Sequence, residues 1–212
     1  MIQKLISFLQ WKFGLTPEAR CRRALRRAGL GPGDLAVDCG ANVGEMTAVL
    51  AENGAEVHAF EPNPHAFKVL TQKFARQSNV FCHHAAAGSA PGRQPLYLHE
   101  NSGMDEVLWS NGSSLLPEKP NVDRERQVEV EVIDLAAFLR SLPGPVKVLK
   151  MDVEGFEVEL INHLLDTRAA DLVECAFVET HENKIPELAL ATEALRKRLA
   201  REGKNNFHLD WV

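Results

Sequence analysis

Leu35–Cys39 is a short apolar run that gives way at once to Gly40-Ala41-Asn42-Val43-Gly44, after which apolar residues recur at helical spacing. A strand that empties through a glycine turn into a helix opens a βαβ unit, which needs a parallel neighbour strand to bury its faces. Seventeen residues beyond Gly44 a second strand, 56–60, ends in Phe60-Glu61-Pro62. The two strand ends put a glycine turn and an acid on the same edge of a sheet. In open parallel sheets that edge is where ligands bind.

The same punctuation repeats along the chain. A helix is predicted over 43–53 and stopped by Gly54; Pro62 and Pro64 turn the chain into another at 65–77. Strands are expected at 79–83, 146–151 and 172–179, with helices at 156–165 and 187–202 and a short last strand near 207–211. Strands alternating with helices of ten or more residues predict an α/β doubly wound, mostly parallel sheet. Ahead of it, residues 2–13 carry apolar side chains at helical spacing. Thr16-Pro17-Glu18 reads as the cap and first turn of a second helix that Gly29 closes. The expected organisation is an N-terminal helical extension over 1–30 and one sheet domain over 31–212. Alternation fails between about 88 and 133, where strands at 94–98 and 127–133 bracket a polar stretch. That stretch, about 99–126, reads as an insertion or lid loop.

A chain of 212 residues with 45% hydrophobic residues suits a single domain with a full core. Its net charge of −5 is uneven: residues 1–30 hold seven Lys and Arg against one acid. The acidic body argues against nucleic acid as a partner. The basic helix predicts at most weak membrane-surface contact through residues 1–28, the bland reading being a solvated helix face. Cys21, Cys39, Cys82 and Cys175 lie far apart with no zinc-type spacing. No apolar run approaches the ~18 residues of a membrane span, and the first residues lack the pattern of a signal peptide. A cytoplasmic protein is expected.

The glycine turn and Glu61 predict a nucleoside site, with the acid accepting ribose hydroxyls. A dinucleotide would call for G-x-G-x-x-G, but the three positions read Gly40, Asn42 and Glu45. An acid in the first helical turn opposes phosphates, and Asp38 adds a second negative charge at the strand tip. A ligand without phosphates and with a cationic centre suits the place better. That favours S-adenosyl-L-methionine (SAM), with its sulfonium, over NAD.

VDCGANVG, HAFEPNP, LKMDVEGFE and VETH, with GSSLL inside the polar stretch, together resemble the FkbM family of SAM-dependent methyltransferases. The resemblance runs from about residue 35 to 181. It implies a Rossmann-like class I methyltransferase fold and methyl transfer to a hydroxyl of a small-molecule or glycan acceptor. Carried over by residue, it puts Asp38, Gly40, Ala41, Asn42 and Gly44 at the methionine end. It puts Glu61 on the ribose with Pro62 and Asn63 beside it, and the adenine near His84-Ala85-Ala86. Class I sheets usually finish with an antiparallel pair, whereas this chain offers one helix and one short strand.

Chemistry-bearing residues gather elsewhere too. Lys150, Asp152 and Glu154 recur at period two, so their side chains are expected to converge at a strand end, with Glu157 on the next helix. Either they surround the reacting methyl and the acceptor, or they are an ion-pair network tying strand to helix. His181, in Glu179-Thr180-His181, is the candidate general base for a hydroxyl that loses its proton; the plainer reading is a surface histidine. The spacing requires no metal, although Asp152, Glu179 and His181 could supply ligands to one. His83-His84 point to opposite sides of a strand and suit packing. Ser113-Ser114 either meet a sugar-like acceptor or sit in a solvated loop. The competing functions are an NAD-dependent oxidoreductase and a SAM-binding scaffold without turnover.

Overall fold

The computed structural model describes residues 16–209. The helix expected over 2–13 and the end of the last expected strand lie outside the described residues. Helix α1 (Pro17–Arg27) starts where Thr16 Oγ1 accepts the Ala19 N–H, as the sequence suggested. Then follow β1 (Leu35–Cys39), α2 (Glu45–Ala51), β2 (Glu56–Phe60), α3 (Pro64–Phe74) and β3 (Val80–His83). After an excursion the chain returns through β7 (Val146–Met151), α5 (Glu157–Asp166), β8 (Ala176–Val178), α6 (Ala189–Arg201) and β9 (Phe207–His208).

These six strands form one sheet in the order β3-β2-β1-β7-β8-β9, and every pairing is parallel. The order reverses between β1 and β7, which makes the crevice at their carboxyl ends the expected ligand site. The last strand, β9, pairs parallel with β8 and not antiparallel. Alternation along the strands sends Val37, Cys39, Leu149 and Met151 into the core shared with α5 and α6. Ala36, Val57 and Val148 face the other way, against Val49 and Leu50 of α2 and Leu25 of α1. The described part of the N-terminal extension therefore shares the core of the sheet domain. Its basic residues are also engaged: Arg22 pairs with Glu45, and Arg26 with Glu52.

The excursion is a second, three-stranded sheet of β4 (Ala86–Gly88), β5 (Gly92–His99) and β6 (Val122–Asp134) in the order β4-β6-β5. It extends both strands expected there and adds β4, a three-residue strand. Helix α4 (Leu135–Ser141) follows directly, capped by Asp134, whose Oδ1 accepts the Ala137 N–H. The strand expected at 172–179 begins late: residues 169–172 form a 3-10 turn, and only a single bridge, Val146 to Val173, precedes β8. Among the described residues no helix is long and apolar enough to cross a membrane.

Candidate active site

Asp38 and Lys150 occupy matched positions in the β1–β7 register. Both fall on the face where Ala36 and Val148 meet α2, so two charged side chains stand where the pattern calls for apolar ones. They pair: Lys150 Nζ lies 3.1 Å from Asp38 Oδ1 and donates to the Gly40 carbonyl at 2.7 Å. Thr47 Oγ1 donates to the other Asp38 oxygen at 2.7 Å. Burial works against the charge on Lys150, but Asp38 and Asp152 more than offset it and hold the ammonium above its ordinary value. Asp38 is fully buried and bears on the glycine turn through Lys150.

The turn needs its glycines. Gly40 has φ 78°, and a Cβ there would lie 1.8 Å from the Asp152 carbonyl oxygen. Gly44, also at φ 78°, would drive a Cβ into Leu70 and Phe74. The Gly40 and Ala41 N–H groups both donate to the Phe60 carbonyl, which closes the turn against the end of β2. Glu61 follows and is nearly buried. Its two oxygens accept the Asn42 N–H at 2.8 Å and the Asn63 N–H at 2.7 Å. Burial pushes its carboxyl up to about 7 despite those two donors. Asn63 caps α3 by accepting from His65 and Ala66, and its amide donates to Ser113.

Gly40, Asn42, Glu61, Pro62, Ala86, Asp152 and Glu154 line a single cavity. The sequence reading expected all seven at the site. Ala41, Gly44 and Asn63 sit behind its wall as supports, while Lys150 and Asp38 brace the turn from beneath. Of the two histidines, His83 stacks on Phe60 at 4.4 Å and His84 on Phe67 at 4.5 Å, so both serve packing. Glu45, expected to oppose phosphates, points outward to Arg22; the acids that face the cavity are Glu61, Asp152 and Glu154.

The polar stretch forms the remaining wall. Asn42 Nδ2 donates to Ser110 Oγ at 2.9 Å, and Ser114 Oγ donates to the Glu154 carbonyl at 2.8 Å. Lys119 reaches further: its buried ammonium pairs with Glu154 and donates to the Gly112 carbonyl at 2.8 Å. Neither Lys119 nor Ser110 was a candidate from sequence. Ser113-Ser114 was, and both line the cavity while stitching the stretch to the strand ends.

Strand alternation stops at Asp152, because β7 ends at Met151 and residues 154 and 155 both adopt positive φ, 57° and 115°. Lys150 and Asp152 stay neighbours at 3.8 Å, but Glu154 swings away toward Lys119 and His181. His181 lies behind the cavity, with Nε2 3.1 Å from Glu154 and Nδ1 3.0 Å from Glu157. Burial opposes its charge, yet Glu154 and Glu157 raise it to about 10. Burial likewise works against ionised Glu154, but His181 and Lys119 hold it down to about 2. Asp152 rises to about 7, chiefly through burial.

The sequence has counterparts among known proteins. Residues 38–206 match the methyltransferase FkbM domain family. The chain is a member of that family. A curated relative, hexuronic acid methyltransferase AglP of Haloferax volcanii, is 29% identical over 157 residues, 73% of this chain. The match spans 59% of that relative's length. Among solved structures, an rRNA methylase from Streptococcus thermophilus overlaps at a TM-score of 0.48 with 10% identity, covering 87% of this chain and 79% of that one. The 23S rRNA methyltransferase ErmE overlaps at 0.43 with 16% identity, over 76% of this chain and 44% of its own. For this FkbM-domain chain the strand order and switch point, not those overlaps, define the fold.

Proposed function

We propose that this FkbM-domain protein transfers the methyl group of SAM to an oxygen of a sugar-like acceptor. The observation that carries the reading is the cavity at the β1–β7 switch point, lined by the acids Glu61, Asp152 and Glu154 together with an apolar wall. Glu61 stands where a ribose diol can replace or join its two N–H donors, and the missing Cβ at Gly40 lets the backbone come close to a ligand. Ala86, Ala87 and Leu96 offer an apolar wall for a purine. Asp152 and Glu154 give the cavity the negative charge that a cationic ligand needs, and among the described residues no basic side chain lines it to receive a pyrophosphate. The donor set therefore fits SAM and not a dinucleotide.

Bound there, SAM supplies an activated methyl on a cationic sulfur. The chain's own part is to orient: Glu61 holds the ribose, the Gly40 turn sets the depth, and the wall of Ser110, Ser113 and Ser114 keeps water out. Asp152 opens on the cavity and meets the acceptor's oxygen and its proton. His181 does not line the cavity and acts through Glu154 and Glu157, so its role is positioning and not that of the general base. The relative's name, a hexuronic acid methyltransferase, supports a sugar acceptor.

The test is thermal stability of the purified chain with S-adenosylhomocysteine, SAM, NAD and NADP added separately. Ligand at a hundred times its dissociation constant adds about 2.7 kcal/mol. A shift with S-adenosylhomocysteine and none with NAD is expected. A shift with NAD alone overturns the reading. With binding established, transfer of a labelled methyl group to uronic acids and neutral sugars identifies the acceptor.

A further inference from the structure

Behind Asp152 lies a cluster that methyl transfer alone does not account for. Four carboxylates surround the His181 ring: Glu157 at Nδ1, and at Nε2 Glu154, Asp152 (3.7 Å) and Glu179 (3.9 Å). Two of these already have their own cations, Lys119 for Glu154 and Lys184 for Glu179, while Lys150 is committed mainly to Asp38. Asp152 and Glu157 are left with the histidine.

Hydrogen bonding satisfies Glu157, which accepts the Val153 and Gly155 N–H groups, but not the ring or Asp152 Oδ1. The His181 side chain has no solvent exposure, yet neither ring nitrogen makes a hydrogen bond of acceptable direction, and neither does the buried Asp152 Oδ1. Buried polar atoms are nearly always partnered, so three orphans in mutual contact call for a missing group. A proton on the ring adds charge but leaves Asp152 Oδ1 without a donor. Asp152, Glu157 and His181 can each turn one ligand atom to within 4.8 Å of the others. Atoms bound to one ion at about 2.1 Å stand roughly 3–4 Å apart; Glu157 faces Nδ1 and Asp152 faces Nε2, so the ring turns to present one nitrogen to both as the set closes on an ion.

We propose that Asp152, Glu157 and His181 form a binding site for one divalent transition ion, set into the wall of the cavity. One imidazole nitrogen with two carboxylate oxygens and no sulfur suits ions of the Mn²⁺-to-Zn²⁺ type. Glu157 also accepts the Val153 and Gly155 N–H groups, which fixes its orientation before an ion arrives. Glu179, which with Asp152 and His181 could have supplied a ligand, gives way to Glu157 because Lys184 holds it at 3.0 Å. Asp152 Oδ2 stays directed toward Lys150 and the cavity, so the ion would sit one carboxylate away from the acceptor.

The experiment is titration of chelator-treated full chain with Mn²⁺, read by loss of the free-ion EPR signal, and with Zn²⁺, read by metal analysis after dialysis. Binding of S-adenosylhomocysteine is measured on the same samples. One ion per chain is expected, with affinity falling at least tenfold in Asp152→Asn and His181→Gln and unchanged in Glu193→Gln. Asp152 is partly exposed, so its asparagine variant keeps the test valid where His181→Gln does not fold. No ion bound by folded wild type, or equal binding by wild type and Asp152→Asn, overturns the site. If S-adenosylhomocysteine still binds in that case, this inference falls and the methyltransferase reading stands. The opposite pattern spares the ion site and refutes the methyltransferase reading.

Discussion

Gly40→Ala isolates the contact on which the glycine turn depends. Two costs are separable. An alanine at φ 78° adopts a left-handed backbone, worth roughly 1–2 kcal/mol. Its Cβ would also stand 1.8 Å from the Asp152 carbonyl oxygen, and relief means spreading β1 from β7 where the Asp152 N–H donates to the Cys39 carbonyl at 3.0 Å. Forced overpacking costs roughly 1–3 kcal/mol, and a weakened hydrogen bond about 1 more. The sum is about 4 kcal/mol, which lowers the melting temperature of a domain this size by roughly 10 °C. Gly33→Ala is the control for backbone alone, because φ is 89° and nothing lies within 4 Å; it should cost about 1 kcal/mol. Gly92→Ala, with open space and no positive φ, should be close to neutral. Calorimetry or urea unfolding of the three variants reads the differences. Gly40→Ala no less stable than Gly33→Ala would refute the close approach of the turn to β7.

Glu61 should make ligand-free stability pH-dependent, because burial raises its carboxyl from 4.5 to about 7, with Lys150 lowering it and Asp38 raising it. The folded-state value exceeds the unfolded one, so this contribution is complete below about pH 4.5 and is lost as pH rises through 7. It amounts to about 3 kcal/mol, and Glu61→Gln should remove it from urea unfolding curves. Ribose hydroxyls donate to the ionised form, so calorimetric affinity for S-adenosylhomocysteine should weaken as pH falls below 7; a flat profile counts against the diol contact. Lys119→Met should destabilise by about 3 kcal/mol and raise hydrogen exchange across 100–121, since it leaves Glu154 short of a buried partner. Asp38→Asn should cost about 3 kcal/mol without any ligand, and adding Lys150→Met should recover part of it; additive losses would mean the pair is not coupled.

Local patterns made much of this molecule legible. Leu35–Cys39, Glu56–Phe60 and Val146–Met151 are bounded by glycine, proline or charge, and all three strands fall where the punctuation puts them. Helix α4 was hidden because its seven residues, Leu135–Ser141, are too few to show a helical period; the capping geometry marks Asp134 as its start. Strand β4 has three small residues and no period of its own, so nothing but its pairing with β6 defines it. The part of the cavity formed by Gly40, Asn42, Glu61 and Pro62 was readable because its residues share one turn and the next strand end. The rest was not. Lys119 meets Glu154 across 35 residues of chain, and no local signal announces the left-handed turn that carries Glu154 to His181. Nor does the sequence show that His181 stands between Glu154 and Glu157.

The matched pair Asp38 and Lys150 also bears on how the sheet assembles. Sliding β7 by one residue along β1 would turn the ammonium toward the face of Leu149 and Met151 and leave the carboxylate facing aliphatic side chains. A slipped register exchanges every side chain between faces, and breaking a buried pair costs roughly 3–5 kcal/mol. The two apolar faces of β7 alone would discriminate weakly, since Val148 and Leu149 are interchangeable as fillers. One ion pair at the central strand junction thus penalises a slipped register. It admits the single alignment in which the glycine turn and the acidic strand end arrive together.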